Sequence, residues 1–571
     1  MPFPSFAFAA PQNGADGKNI NGGTWENGGT FTGGTGEEWT VIDEVAGSGG
    51  SGVDAENVSV VNKAGSTIMG GQGGDYSGNY GPGPSVMTGH GGIGVVFRNI
   101  GTASYSLINY GEIRGGDSGS DGNSGTTSAK GAVGVHITGN GNVLVNYGAI
   151  YGGTSLVRGT HTIPDQAVMI TGDRNHIINA GIIQSGHNSS IANRHYAAAI
   201  LITGNDNIVE LRGDYFLNQG SGSSSCAVAL LGSVGNTLAL GGDITEGRVF
   251  DQADIAKFSR FDTLAKFGES NWTLTGTTSA TQLWNVYGGT LMVDSATTIS
   301  GSNVYQGLLD FIDPATSNLG AVEVFGPGTY AAPGGKTGYY SGGALPLGRG
   351  GVATSVTLHA GATAHAYSDD TYLDASGAIT VEDGLKFYLR SNDWVTGQEY
   401  KMLQGATASI DSAYQGDGKY YSLAGYDFRA FQSGADALHI QMLRLKNVSE
   451  NPDLTYNQES TGERVDSLPD GTPIKDIVEH VETGKLPDVL DQLSGEIYAT
   501  LPTVLRNHDT RLRNNMLSSI SRNALASMLC KTPQGDDPCQ KKDDVTGKLL
   551  RTRRAERNAR PIPPARRTIF G

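Results

Sequence analysis

A glycine-anchored repeat constrains this chain more than any other feature. Aligned on Gly139, Gly172, Gly204 and Gly232, the repeat places mostly apolar residues at alternate positions upstream of each anchor. These are Val133, Val135 and Ile137, then Val168 and Ile170, then Ala198, Ile200 and Ile202, then Cys226, Val228 and Leu230. Asn146 or Asn179 follows seven residues after its anchor, and Gly148, Gly181, Gly213 or Gly241 nine after. The anchors are 33, 32 and 28 residues apart. An earlier copy, INYGEIRGG at 108–116, matches VNYGAIYGG at 145–153, and VNKAGSTIMGG at 61–71 is a looser one.

Short period-two runs separated by Gly/Asn turns, recurring at this interval, describe the turns of a parallel β-solenoid. One unit cannot bury its apolar face alone. Stacking buries it against the next unit and pairs backbone groups at about 4.8 Å. Asn146 and Asn179 then stack as an amide ladder inside the column, glycines supply corners with φ > 0, and Cys226 takes a core slot. Stretches between repeats, such as 116–130 and 155–165, read as projecting loops, where binding residues concentrate. The expected class is all-β, with a C-terminal helical segment.

Composition agrees. Glycine is 85 of 571 residues, about twice the usual share, yet apolar residues run throughout and helix-forming runs are scarce before about residue 470. Net charge is −16; residues 531–571 carry +6, which leaves −22 on residues 1–530. That acidic body excludes a nucleic-acid partner, since phosphate contacts need concentrated Lys and Arg. Three cysteines are too few for a disulfide scaffold; Cys530 and Cys539 flank a short polar loop and could bridge in an oxidising compartment.

From about residue 266 the pattern changes. Trp272–Leu274 is expected to pair with 290–293 across Gly288-Gly289, and the aromatic region to residue 443 to cap the column. Residues 446–473 read as a polar loop. Leu486, Val489, Leu490, Leu493, Ile497, Leu501 and Val504 then recur at helical spacing, with Pro487-Asp488 near the start. At the other end, Ala7-Phe8-Ala9 has the form of a signal-peptidase site, so 1–9 reads as the remnant of a signal peptide.

Catalytic motifs are weak throughout. Gly116-Asp117-Ser118-Gly119-Ser120 matches a serine-protease nucleophile segment, but the one upstream histidine is His90, in an unsuitable context. The repeat already explains the glycines. GGQGGDYSG at 70–78 matches half of a calcium nonapeptide without a tandem copy. Arg212-Gly213-Asp214 is an RGD triplet whose glycine the repeat requires anyway. The histidines show no metal spacing. No catalytic residue, metal or cofactor is expected.

LPDVLDQLSGEIYATLPTVL at 486–505, followed by Arg511-Leu512-Arg513, resembles the segment joining passenger to translocator in pertactin-like bacterial autotransporters. The matching residues are Leu490, Asp491, Gln492, Leu493, Ser494, Gly495 and Glu496, with Tyr498 and Ala499 beyond. WTLTG and GGTLMV upstream are similar to that family's passenger repeats. The resemblance implies a right-handed parallel β-helix (solenoid) with a C-terminal α-helical linker. It divides the chain into a β-helix passenger at 10–330, a folding-support region at 331–445, the loop at 446–473, a helical linker at 474–527 and a basic tail at 528–571. The family continues into an outer-membrane β-barrel translocator, which this sequence lacks: a truncation, a frameshift and a separate chain are all open. It further implies export through the periplasm of a Gram-negative bacterium to the outer membrane, and display or release there. The expected role is contact with a host receptor, matrix protein or glycan, or with other bacteria. A β-helix polysaccharide lyase or hydrolase, and a non-functional remnant, are the competing readings.

Overall fold

The computed structural model describes residues 14–36, 38, 46–75, 88–120, 129–155, 165–187, 197–218, 226–258, 261–277, 281–313, 317–369, 371–390 and 393–496. The signal-peptide remnant expected at 1–9, Cys530, Cys539, the helical linker expected beyond 496 and the tail expected at 528–571 lie outside these residues. Two compact units contain the described residues: one spans the chain to Lys446 with 469–483, the other comprises 447–468 and 484 onward.

In the first unit, each N-terminal repeat contributes one short strand to each of three parallel sheets. The first sheet stacks Lys18–Asn21, Val53–Glu56, Val95–Arg98, Val135–Thr138, Val168–Ile170, Ile200–Ile202 and Val228–Leu230. Its register, Val95↔Val135↔Val168↔Ile200↔Val228, follows the repeat alignment. Strands ending at Asn27, Asn62, Asn109, Asn146 and Asn179 stack in the second sheet. The looser copy at 61–71 joins in register as well, with Thr67 opposite Glu112. Inward residues such as Val135, Ile137, Leu144, Ile150 and Ile170 are wholly buried, as period-two alternation requires of a face that packs on the next. Cys226, expected in the core, is only half-buried.

Polar residues fill the corners where apolar ones cannot satisfy the turning backbone. The Nδ2 of Asn27 donates to Asn62, Asn62 to Asn109, Asn109 to Asn146 and Asn146 to Asn179, at 2.7–2.9 Å. All five are fully buried. Above them the column continues with Leu211, Leu240 and Lys266. Lys266 is wholly buried, its ammonium donating to the Phe267 and Gly288 carbonyls, and burial pulls it down to about 7. Two further ladders run up the preceding corner. Backbone N–H groups of Asp173, Asn205 and Val234 donate to the side chains of Asn140, Asp173 and Asn205, and those of Asn142, Asn175 and Asn207 to Asn175, Asn207 and Asn236.

Glycine-rich stretches leaving the third sheet and returning to the first form a second lattice. Outbound segments bond to outbound ones (Gly70 to Arg114, Gly73 to Asp117; Gly115 to Tyr151, Ser118 to Thr154), and inbound to inbound (Gly49 to His90, Gly52 to Ile93; Gly91 to Lys130, Gly94 to Val133). The bonds recur every third residue, the period of a polyproline II helix. Cross-bonds join the two kinds: Gly71 to Gly50, Gly92 to Gly71, Gly116 to Gly92, Ala132 to Gly116, Gly153 to Ala132. The residues 116–120, expected to start a projecting loop, are instead packed here, and Ser118 is fully buried. A Cβ on Gly116 would lie 1.9 Å from the Gly71 carbonyl oxygen, so the constraint is close approach rather than φ > 0.

Beyond residue 263 the parallel ladder does not stop. Trp272 faces Leu291, as expected, but the strands are parallel and belong to successive layers. Gly288-Gly289 is a bend within one strand, Trp284–Val293, rather than a turn between two. Parallel pairing runs on to Glu399–Ile410, past the expected change of region near 330. Beyond it Lys419–Ser422, Tyr426–Ser433 and Ala437–Leu445 pair antiparallel and close the end. The helix Pro473–Glu479 packs beside them. There His480 stacks on Tyr388 at 3.9 Å and Tyr388 donates to Asp476.

The second unit corrects the loop expected at 446–473: it contains a helix, Tyr456–Asp466, opened by a Thr455/Gln458 capping box. Asp466 accepts the amides of Val448 and Ser449. Helix Leu486–Glu496 bears out the helical spacing as far as the described residues reach.

Two outcomes follow. Gly116→Ala destabilises the protein by about 3 kcal/mol because an added carbon collides with backbone. Gly28→Ala, where open space surrounds the position, stays within about 0.5 kcal/mol; urea denaturation of both variants measures the contrast. Burial, with Arg390 and His480 adding, lowers His365 from 6.5 to about 3. Between those values the unfolded chain binds a proton that the folded one does not, so stability is lost as pH falls from 6.5 toward 3. A pH series of melts on His365→Gln shows a shallower loss.

Candidate functional site

The corner after the second sheet sets an outward column whose occupants the ladder aligns. Tyr110 and Tyr147 each follow a buried asparagine, so their side chains leave the column at the same place one layer apart. Their rings stack at 5.2 Å and 7°, with 48% and 42% of their surfaces exposed for Tyr110 and, by its half-open position, Tyr147 respectively. Ala180 holds the next position, so the stack ends there. Burial raises the Tyr147 phenol above its ordinary range, with Arg212 pulling the other way.

Beside this pair runs an open groove of about 510 Å³. Its floor is the turn backbone at Gly65, Gly111, Gly148 and Gly181, and its far wall carries Thr67, Glu112, Ala149 and Ile182. Gly111, Gly148 and Gly181 are set by stacking, since a Cβ on Gly148 would lie 2.1 Å from the Gly111 carbonyl oxygen, whereas Gly65 is set by its φ of +75°. Aromatic rings, hydroxyls and one carboxylate thus line a channel that crosses four layers.

Higher in the same column the chain covers its own aromatic surface. Phe267, Tyr287, Tyr305, Phe325 and His359 follow one another at 4.6–5.6 Å. The antiparallel hairpin of Gly328–Ala332 and Lys336–Tyr340 lays Tyr330 and Tyr340 on this stack. Its tip at Gly334 comes against Ile208.

Between the two stretches sits a charged cluster. Glu210 is nearly fully buried and accepts from His176 Nε2 at 2.7 Å and Arg212 Nε at 2.6 Å. Burial alone would raise its carboxyl, but His176 and Arg212 hold it below the ordinary value. The arginine of the RGD triplet is therefore an internal strut. Gly213 takes φ +50° and donates to the Glu246 carbonyl. Asp214 is 85% exposed at its side chain but bonded to Arg248 at 2.7 Å. The triplet is brought together in space, with both charged ends already engaged.

The other sequence motifs also find structural roles. His90 accepts the Lys130 amide through Nδ1. Asp75, last described residue of the half-nonapeptide, accepts the Ser120 amide. Among the described residues no cluster of three metal-ligating side chains occurs, and no helix is long and apolar enough to cross a membrane. In the linker motif Leu490 is buried and Leu493 half-buried, while Asp491, Gln492 and Ser494 are exposed; Gly495 and Glu496 end the described helix. Tyr498 and Ala499 lie outside the described residues. The groove itself was missed by sequence reasoning, although INYG and VNYG carried its two tyrosines in aligned copies. No protein-family description matches the chain, and no curated protein matches it.

Arg212→Ala leaves Glu210 buried with half its partners, so it lowers stability by on the order of 3 kcal/mol. Asp214→Ala, at an exposed pair, changes it by less than about 1 kcal/mol. Equal, negligible effects in chemical denaturation would mean that Arg212 is free to serve a ligand.

Proposed function

We infer that the chain is a right-handed parallel β-helix passenger of a pertactin-like autotransporter, carried to the bacterial surface and acting there by adhesion. The observation that carries this reading is one continuous parallel ladder, ended by an antiparallel cap and followed in sequence by a helix bearing LDQLSGE. An unbroken parallel stack with one strand per sheet per repeat is the geometry of a β-helix, and the right-handed sense is the one favoured for parallel crossovers. The Leu490–Glu496 motif, with Leu490 buried and Asp491, Gln492 and Ser494 exposed, supports a partner β-barrel translocator at the outer membrane. The acidic surface suits an extracellular setting.

Adhesion is preferred to turnover. Glu112 is the one carboxylate among the described groove residues, whereas glycoside hydrolysis ordinarily uses two. The partner on this reading is a host receptor, matrix protein or glycan, or another bacterial cell.

Display tests the proposal. The chain is expressed behind a signal peptide and ahead of a pertactin-like barrel in a Gram-negative host. Added protease should release it from intact cells, and those cells should adhere to epithelial monolayers or to one another more than cells carrying the barrel alone. Efficient display without any gain in adherence would overturn the adhesin role. Failure to reach the surface would overturn the passenger assignment.

A further inference from the structure

We propose that the groove beside Tyr110 and Tyr147 binds a linear, uncharged polysaccharide, laid across the layers with its sugar rings against the tyrosine pair. This deepens the adhesion reading and rests on it for its biological setting, while the binding itself stands on the groove's geometry.

The length scale is the first argument. Successive layers are about 4.8 Å apart, so the four floor glycines from Gly65 to Gly181 cover about 14 Å. A hexose unit in an extended chain advances by a closely similar length, so sugars over Gly111, Gly148 and Gly181 meet the same backbone turn one layer apart, and the longer turn at Gly65 closes that end of the run. A compact ligand would use one layer and gain nothing from the repetition. A peptide strand could not add to a sheet here, because the sheets' hydrogen bonds run along the column and are already made between layers.

The lining chemistry is the second argument. Sugars combine apolar C–H faces with a rim of hydroxyls, and sites for such molecules pair aromatic surface with a few polar groups. The stack ends at Ala180, which leaves Tyr147 without an aromatic neighbour on that side. Thr67 and the Glu112 carboxylate supply acceptors and a donor on the other wall. An apolar helix or lipid would leave those groups unsatisfied.

Charge selects within the class. No lysine or arginine is among the described lining residues, Arg212 beside Tyr147 is already paired with Glu210, and Glu112 is acidic. Residues 1–530 carry −22, so an anionic polymer such as a uronate would be repelled both locally and at long range.

The contrast along the column is the third argument. Where Phe267, Tyr287, Tyr305 and Phe325 stack, the hairpin of Gly328–Ala332 and Lys336–Tyr340 covers them. At Tyr110 and Tyr147 no described residue of the chain performs that service, and both rings stay open to solvent.

The test uses the full chain in solution with cellohexaose, mannohexaose, xylohexaose and, as the charged comparison, a hexagalacturonate, measured by calorimetry. Binding to at least one neutral hexasaccharide is expected, with no binding to the uronate. Tyr147→Ala should weaken it by about tenfold or more. Ala149→Arg, which fills the groove without removing a ring, should do the same, and circular dichroism of both variants reports whether they fold. Tyr339→Ala, at a tyrosine 72% exposed elsewhere on the unit, should leave binding unchanged. Equal affinity in all variants would place the sugar elsewhere and overturn the proposal. So would binding of the uronate alone, or of none of the four. Adherence of displayed cells is scored separately: if Tyr147→Ala and Ala149→Arg cells adhere as wild type does, the groove inference falls while the adhesin reading stands. If wild-type chain binds the sugar but displayed cells do not adhere, the adhesin reading falls and the groove remains.

Discussion

Everything in the first unit depends on one backbone contact repeated many times: an amide of one layer donating to a carbonyl of the next at fixed register. A single such bond contributes about 1 kcal/mol net, and no layer could persist on its own share. The register is what makes the sum possible. Because Val135 faces Val168 and Asn146 faces Asn179, like side chains lie over like. Apolar residues then bury one another, amides bond amides, and rings stack on rings. Amide columns and aromatic columns are therefore products of the ladder, and the tyrosine pair of the groove is one of them.

The same contact explains why so much glycine is tolerated. Glycine usually weakens ordered structure by its entropy. In the lattice of outbound and inbound segments it is the one residue that lets carbonyl oxygens approach closely enough for neighbouring chains to bond. At Gly116 and Gly153 a side chain would overlap a carbonyl outright. Glycine content here reports packing, as at a collagen axis, and not looseness.

Much of the first unit was legible in the sequence, because period-two apolar runs at a constant interval leave few alternatives. The strands around Val135, Val168, Ile200 and Val228 and the Asn146–Asn179 contact all lie where the repeat puts them. What escaped did so for physical reasons. Glycine-rich polyproline II segments carry too few side chains to display their three-residue period, so the packed stretch at Gly115–Gly119 read as a loop. The two ladders through Asn140 and Asn142 were present as Thr-Gly-Asn/Asp-x-Asn in three copies, yet asparagine beside glycine signals a turn before it signals stacking. The helix Tyr456–Asp466 is polar on most of its surface, and only its capping box announced it. At the candidate site, Tyr110 and Tyr147 were visible in aligned copies, but the groove exists only once the layers are stacked. The RGD arginine looked available until the buried Glu210, one layer's strand away from His176, claimed it.

The cross-bonds of the glycine lattice have a topological meaning. Gly116, leaving its layer, donates to Gly92, which brought the chain into that same layer, and Gly71 does the same to Gly50. Each of these layers is thus fastened into a ring by its own entering and leaving strands of backbone. The registration of a ring is therefore set within the ring itself, and the number of residues that connect it to the next does not enter. Differences in connection length between one layer and the next can accumulate without shearing the layers past each other. A protein built this way keeps its column constant whatever the spacing of its repeats along the sequence.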